Sequence, residues 1–432
     1  MKKILLILLP LILISQNAFS VTLSDALLQA YANNPELNAE RENIQVSKED
    51  LNISISDFLP SITISGSKSK EKTEKLTDRS GASKSATDVN PRTQSIKIEQ
   101  KLFQGFAGVA DLEKNRIGLI LADAKLLKTE QKILYEAIEA YTGLIFSNEK
   151  LNINQMNMNL LERQVETDQA RLERSQVTLA DLAQSESSLA GAQASHIKAK
   201  NEVVTAKLTY EKVIGPINNI NNLNKNSDIR FVIPKNLNSA IELSKINNPN
   251  LIIAKLEYEK SKKDVIIARS DLSPSAKISL SSTKTDDVSS TYDEQDKEIA
   301  MATISWPIFS GGKNTASLKK SKNLQNRQKL LLDNAIKEND TNVASSWSNL
   351  QSSKSLLNSV KLQVKAAEIA NEGITIEYES GLGRSTLEVI QSNSILLSSK
   401  ISLADSERNY LLAQFNLLQS VGLLKSDYLK LQ

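Results

Sequence analysis

No cysteine occurs in the 432 residues. That excludes disulfides, thiolate metal sites and an acylated cysteine anchor, so stability must come from packing or assembly. There is one histidine, His196, beside Ser195 in a helical stretch. It has no second ligand at metal spacing and no partner acid or thiol, which leaves nothing to build a catalyst from. No glycine-rich phosphate loop occurs. The expectation is a protein that is not an enzyme, with no catalytic residue, cofactor or metal. Prolines are scarce, and all nine fall outside two intervals, 92–215 and 308–432. A proline inside a helix costs about 3 kcal/mol, so long helices belong in those intervals. Aromatics are only 4%, while Leu, Ala, Ser, Lys, Glu, Gln and Asn dominate. That bias favours helix as well.

Charge of either sign is not in excess. Residues 1–20 read as a cleaved signal peptide: Lys2 and Lys3, an apolar run from Ile4 to Ile14, then Ala18-Phe19-Ser20. The run is too short to span a bilayer as a helix. Without this leader, 51 basic and 50 acidic residues remain. A balanced chain gives no reason to expect nucleic acid. No later stretch is apolar enough for a transmembrane helix.

What is present is a duplication. Asn33-Asn34-Pro35 recurs as Asn247-Asn248-Pro249, and each Pro is followed 25 residues later by Pro60 or Pro274. Leu102-Phe103-Gln104-Gly105 corresponds to Ile308-Phe309-Ser310-Gly311, Tyr141 to Trp347, and Asp181-Leu182 to Glu388-Val389. The domains are therefore the leader 1–20, a first repeat 21–214, an Asn-rich connector 215–235 and a second repeat 236–432.

Each repeat begins with a helix, 22–58 or 236–272, interrupted early because the residue before proline avoids helical geometry. Ser24 and Asp25 are candidate caps. Alternation follows. Ile62 and Ile64 share one face, as do Ile96, Ile98 and Leu102; so do Ile278 and Leu280, and Ala302, Ile304, Trp306 and Ile308. Period two with one apolar face predicts strands. The segments between them, 67–92 and 281–297, read as solvated loops.

Beyond Gly105 and Gly311 the period becomes seven: Ala137, Leu144, Leu151, Met158, Val165, Leu172 in one repeat, and Ile336, Val343, Leu350, Leu357, Val364 in the other. This is a coiled-coil seam. A helix over 107–174 would be roughly 100 Å long. Each long helix breaks at 174–178 or 380–384 and returns over 179–213 or 385–420.

Four strands of about ten residues suit an outer-membrane barrel. They cannot close one alone, and lipid tolerates no open edge, so more than one chain must contribute. Phe58, Phe103, Phe106, Trp306 and Phe309 cluster where strands meet helices, as an interfacial girdle would.

The stretch Tyr378-Glu379-Ser380-Gly381-Leu382-Gly383-Arg384-Ser385-Thr386-Leu387-Glu388-Val389-Ile390-Gln391, the paired Asn-Asn-Pro openings and the Phe-x-Gly junctions resemble the TolC family of outer-membrane efflux and secretion ducts. The resemblance covers essentially the whole mature chain. It implies a mainly α fold with a membrane β-barrel: duplicated coiled-coil hairpins plus four strands per chain. A homotrimer would form one 12-stranded barrel in outer-membrane lipid and an α-helical periplasmic tunnel. It implies a passive duct that docks on a periplasmic adaptor (membrane fusion) protein and an inner-membrane pump or ABC transporter. Drug efflux and type I secretion both fit.

The resemblance also implies a periplasmic gate. An Asp of the first-repeat tip meets a Tyr of the second, and an Arg contacts the residue before that Asp. Carried over, these are Asp181, Tyr378, Arg384 and Ala180. Constricting acidic rings would fall at Glu388 and Gln391. Gln391 is an amide where the pattern has a carboxylate, so cation block should be weaker. Tyr378 is one residue out of step with Arg384, because Gly381-Leu382-Gly383 is one residue longer. Gly381 and Gly383 would serve the tip turn or adaptor contact. The competing reading is a non-channel coiled-coil protein of the periplasm or cell surface. Cell fractionation separates the two: a duct is expected as a heat-modifiable outer-membrane oligomer, a spacer as soluble protein.

Overall fold

The computed structural model describes residues 21–77, 79–84, 87–225, 229–289, 291–381 and 383–431. The expected leader, 1–20, and Leu382 lie outside the described residues. In chain order the helices are α1 (Leu23–Asn33), α2 (Pro35–Ser56), α3 (Ala107–Glu173), α4 (Leu179–Val213), α5 (Leu237–Asn247), α6 (Pro249–Ser270), α7 (Lys313–Glu379), α8 (Thr386–Val421) and the short α9 (Ser426–Leu429). The first four have 11, 22, 67 and 35 residues, and the next four 11, 22, 67 and 36. Among the described residues no helix is long and apolar enough to cross a membrane.

The repeated Asn-Pro has a definite local task. Asn248 is extended, with φ −67° and ψ 116°, and its side chain accepts the Asn250 N–H at 2.9 Å. Asn34 likewise accepts the N–H groups of Glu36 and Leu37. Proline forbids the preceding residue helical geometry, and the Asn side chain then caps the helix that proline begins. The cap of α1 differs from expectation. Thr22, not Ser24, is the N-cap, and Asp25 returns the bond from the third helical position in a capping box.

Two compact units form. One takes in Glu130–Ser244 with the stretches up to Asn38 and from Asn342 onward; the other takes in Ala39–Thr129 and Lys245–Thr341. In the first, the heptad seams are buried in part: Ala137, Leu144, Val343, Leu350, Leu357 and Val364 are buried, while Leu151, Met158, Val165 and Leu172 are half-buried. Val343 and Leu350 pack with Ala240, Ala413, Leu417 and Val421, and Trp347 lies against this cluster. Tyr141, at the corresponding place in the other repeat, is buried. Its hydroxyl lies 2.8 Å from the carbonyls of Val21 and Asn224 and accepts the Asn224 N–H at 3.1 Å. Val21 and Asn224 are thereby tied to α3.

The second unit holds the sheet. Its strands are β1 (Ser61–Lys68), β2 (Glu71–Thr73), β3 (Leu76–Thr77), β4 (Ser83–Lys84), β5 (Thr87–Val89), β6 (Arg92–Gln104), β7 (Ser275–Asp286) and β8 (Glu294–Ser305). The main sheet is antiparallel in the order β1-β6-β7-β8, so β6 of the first repeat pairs with β7 of the second. The solvated loops expected at 67–92 and 281–297 are largely strand. β2 pairs β5, β3 pairs β4, and β7 and β8 run on to Asp286 and back from Glu294. Ser and Thr alternate there without an apolar face, and the backbone ladder needs none.

The register puts Ile62, Ile64, Ile96, Ile98, Ile278, Leu280 and Ile304 on one face. Three expected members are not there. A register shift between Lys101 and Phe103 sets Phe103 opposite Ala276 and leaves Leu102 out of the ladder. β8 stops at Ser305 because Pro307 has no N–H to donate. Trp306 and Ile308 therefore lie beyond it, and the Trp306 indole N–H donates to the Leu272 carbonyl at 3.1 Å. At Gly105 φ is +58°, and a Cβ would sit 2.6 Å from that of Ser273, so only glycine fits this strand-to-helix turn.

Tyr141→Phe removes the hydroxyl from the Val21 and Asn224 carbonyls and is expected to lower stability by about 1 kcal/mol. A drop in the thermal midpoint with unchanged far-UV circular dichroism would show this; an unchanged midpoint would remove the staple.

Candidate functional site

The hairpin ends carry the residues singled out in the sequence. In the first repeat, α3 ends at Glu173, Ser175 takes φ +55°, and Thr178 caps α4. In the second, α7 ends at Glu379, Gly381 and Gly383 take φ +71° and +85°, and Ser385 caps α8. A Cβ at either glycine would meet nothing, so their requirement here is the left-handed backbone of the turn.

Asp181 and Glu388 occupy the same local site in the two repeats, the third residue of a helix with a capping box. Asp181 accepts the Thr178 N–H at 2.9 Å and the Thr178 hydroxyl at 2.7 Å. Glu388 accepts the Ser385 N–H at 2.8 Å and the Ser385 hydroxyl at 3.0 Å. These bonds hold both carboxyls below their ordinary values, led in each case by the backbone N–H of the cap residue. Each carboxylate also sits where helix N–H groups lack partners and the dipole favours negative charge.

The expected pairing of Asp181 with Tyr378 is not present. Asp181 is engaged by its own cap. The Tyr378 hydroxyl instead donates to Asp168 of α3 at 2.7 Å and lies 3.0 Å from the Thr386 hydroxyl. Asp168 is 0% exposed. It also accepts from the Ser185 hydroxyl at 2.5 Å and from the Gln164 amide at 3.0 Å. The Arg171 guanidinium lies over the Tyr378 ring, 4.3 Å from its centroid. Burial, opposed by the Thr386 bond and reinforced by Asp168, pushes the Tyr378 phenol up. Residues of α3, α4 and α7 thus converge on one buried carboxylate, and α8 joins through the Thr386 contact to Tyr378.

Arg384 does not reach Ala180. Its Nε donates to Glu377 at 2.5 Å and Nη1 to Glu388 at 2.8 Å, both on its own hairpin. These two carboxylates raise its already high value further. Ala180 is exposed on α4, and Gln391 is exposed one turn beyond Glu388 on α8. Glu388 and Gln391 line a small groove with Ala367, Ala370, Ile374 and Ile395. In the other unit, Phe58, Phe103, Phe106, Trp306 and Phe309 are all exposed at the strand-to-helix junctions. Phe103 and Phe106 form an edge-to-face pair at 5.5 Å.

Asp168, Gln164, Ser185 and Thr386 were missed in the sequence. One signal for Asp168 was there: it stands three residues after Val165 in the heptad series, the second core position of that repeat. A carboxylate on a coiled-coil seam is out of place unless something bonds it.

The caps carry a pH prediction. A depressed carboxyl value means that the folded state binds the proton less well than the unfolded one. The stabilisation is therefore complete above the ordinary values of 3.8 and 4.5 and is lost as pH falls through the lowered ones. Amide-exchange protection factors in the first turns of α4 and α8 are expected to fall below about pH 4, with those of the helix middles unchanged. Equal protection at pH 3 and pH 6 would count against the caps.

Residues 26–216 and 240–423 match the profile of the outer membrane efflux protein family. The chain is 27% identical over 424 residues to outer membrane efflux protein BepC of Brucella suis, covering 98% of this chain and 90% of that one. It is 21% identical over 427 residues to the alkaline protease secretion protein AprF of Pseudomonas aeruginosa, covering 98% and 88%. The crystal structure of the Campylobacter jejuni CmeC outer membrane channel superposes with a TM-score of 0.80 at 14% identity, over 93% of this chain and 85% of that one. The mainly helical fold with four antiparallel strands is that of these channels, and the chain belongs to the outer membrane efflux protein family.

Proposed function

We propose that this outer-membrane efflux protein is one protomer of a passive exit duct, gated by its hairpin ends. Three copies close the four-stranded sheets into one 12-stranded barrel, and their helical hairpins continue it as a periplasmic tunnel. The observation that carries the reading is the sheet: one apolar face, one polar face and two unpaired edge strands, β1 and β8. In lipid the apolar face is solvated, and the edges pair only with further copies. Phe58, Phe103, Phe106, Trp306 and Phe309 then stand at the periplasmic interface as its aromatic girdle.

A conduit of this kind carries no energy source. The chain holds no nucleotide-binding motif, so a periplasmic adaptor protein and an inner-membrane pump or ABC transporter supply it. The relatives divide by name between efflux and alkaline protease secretion, and the duct serves either, with substrate choice residing in the inner-membrane partner.

The gate is the buried carboxylate. Tyr378 of the second hairpin bolts to Asp168 of the first, and parting the hairpins breaks that bond. Arg384, bonded to Glu377 and Glu388, stiffens the second hairpin alone. Asp181 and Glu388 fix the helix starts, Gly381 and Gly383 the turn, and Ala180 stands at the exposed end of the first hairpin. With an amide at Gln391, the anionic ring at the constriction is single, at Glu388.

Conductance in planar bilayers tests this. Tyr378→Phe leaves Asp168 short of a donor, a cost of about 1–3 kcal/mol, and should raise the open population by roughly one to two orders of magnitude. Arg384→Ser should raise it less. A small wild-type conductance rising in that order is expected. Folded oligomers that conduct in no variant would overturn the duct.

A further inference from the structure

The polar face of the sheet is basic. The register places Lys97, Glu99 and Lys101 of β6, Lys277 of β7 and Lys297 of β8 on the face opposite the isoleucines. The Glu99 carboxylate takes both Lys97, at 2.6 Å, and Lys277, at 3.3 Å. Asp57, in the turn after α2, takes Lys101 at 2.8 Å. Lys297 forms no ion pair among the described residues, and its chain neighbours Asp296 and Glu298 alternate to the other face. Four ammonium groups therefore face two carboxylates. Lys101 stands directly opposite Lys277 in the ladder, a like-charge pairing that costs sheet stability. Ser61, Thr63, Ser65, Ser279, Ser281 and Thr283 also lie on this face.

It also has an apolar strip where none is needed for lipid. Ile299 and Met301 lie on the basic face, opposite Ser281 and Ser279, and are 37% and 51% exposed. β8 is thus apolar on both faces between Ile299 and Ala302.

We propose that this face lines the barrel lumen as an anion-attracting, partly apolar wall, so that the duct favours amphiphilic anions, organic acids with a hydrophobic body, over amphiphilic cations. The proposal rests on the duct reading, which makes the isoleucine face lipid-facing and this face lumenal. An excess of fixed charge on low-dielectric walls concentrates counter-ions between them. Each copy in the barrel adds the same excess. The bare ammonium of Lys297 and the two sharing Glu99 supply the charge, and Ile299 and Met301 supply contact for an apolar body.

The test compares the oligomer carrying Tyr378→Phe with the same oligomer also carrying Lys97→Gln, Lys277→Gln and Lys297→Gln. Two readouts are taken: reversal potential across a KCl gradient, and block by 2-naphthalenesulfonate or 1-naphthylmethylammonium added at the barrel mouth. The lysine-bearing channel should have its reversal potential displaced toward that of chloride. The sulfonate should block it at several-fold lower concentration than it blocks the glutamine variant, with the difference fading as salt shortens the screening length. Ile299→Ser with Met301→Ser should weaken sulfonate block and leave the reversal potential in place. The three-arginine variant should behave as the parent and guards against a folding artefact. Channels that conduct but show the same reversal potential and the same sulfonate block with lysine as with glutamine would overturn the basic lumen and leave the duct standing. Folded oligomers that do not conduct at all would overturn both.

Discussion

A backbone N–H or C=O without a partner in hydrocarbon costs several kcal/mol, and a four-stranded sheet presents two rows of them. In this chain the rows belong to β1 and β8. Much of the structure answers to that constraint. The two repeats are joined at their strands, β6 to β7, so that one chain offers two edges rather than four. Gly105 and the Phe-x-Gly turns bring helix and strand together within a few residues. The apolar face stays open in a single chain, with Ile62, Ile64 and Ile304 exposed. A soluble protein would cover it; a barrel wall turns it to lipid.

The helices obey a different rule. α3 and α7, each of 67 residues, have no consistent apolar face at a period of 3.6. Their burial includes seam positions seven apart, Ala137 and Leu144 in one and Val343, Leu350, Leu357 and Val364 in the other. A seam of period 3.5 is satisfied by partner helices side by side, and the return helices α4 and α8 provide them. Helix ends then become the sensitive places, because four N–H groups at each start need partners. Thr178 with Asp181 and Ser385 with Glu388 meet that need by the same device, in the same place of each repeat.

Periodicity was the legible part of the sequence. It located the long helices within a residue or two, the breaks at Arg174 and Ser380, and the alternation of β1, β6 and β7. Signals resting on one residue were harder. The extent of β7 and β8 was missed because residues 281–286 and 294–297 are polar on both faces, without contrast. The bulge that brings Phe103 to the apolar face leaves no mark in a period of two. The bond expected from Tyr378 to Asp181 goes to Asp168 instead. Asp181 carries the helix-start pattern, and a capping box already occupies its oxygens. Asp168 stands thirteen residues earlier, where only its misfit on an apolar seam distinguishes it.

In the proposed gate that misfit has a physical use. An apolar bolt between hairpins would lose its full burial energy on opening, roughly in proportion to area. Opening would then cost several kcal/mol with nothing recovered. A polar bolt behaves differently. When water reaches Asp168 and Tyr378 together, protein–water bonds replace protein–protein bonds, and the net loss per bond is about 1 kcal/mol. The half-open state is the expensive one, because there the carboxylate is dry and has lost its hydroxyl donor. Cheap end states separated by a costly middle make a two-state switch. A partner that binds the open form only modestly better is then enough to shift it. Three helices meet on this buried carboxylate, and Tyr378 cannot leave Asp168 without leaving it underbonded beside Ser185 and Gln164 of its own hairpin.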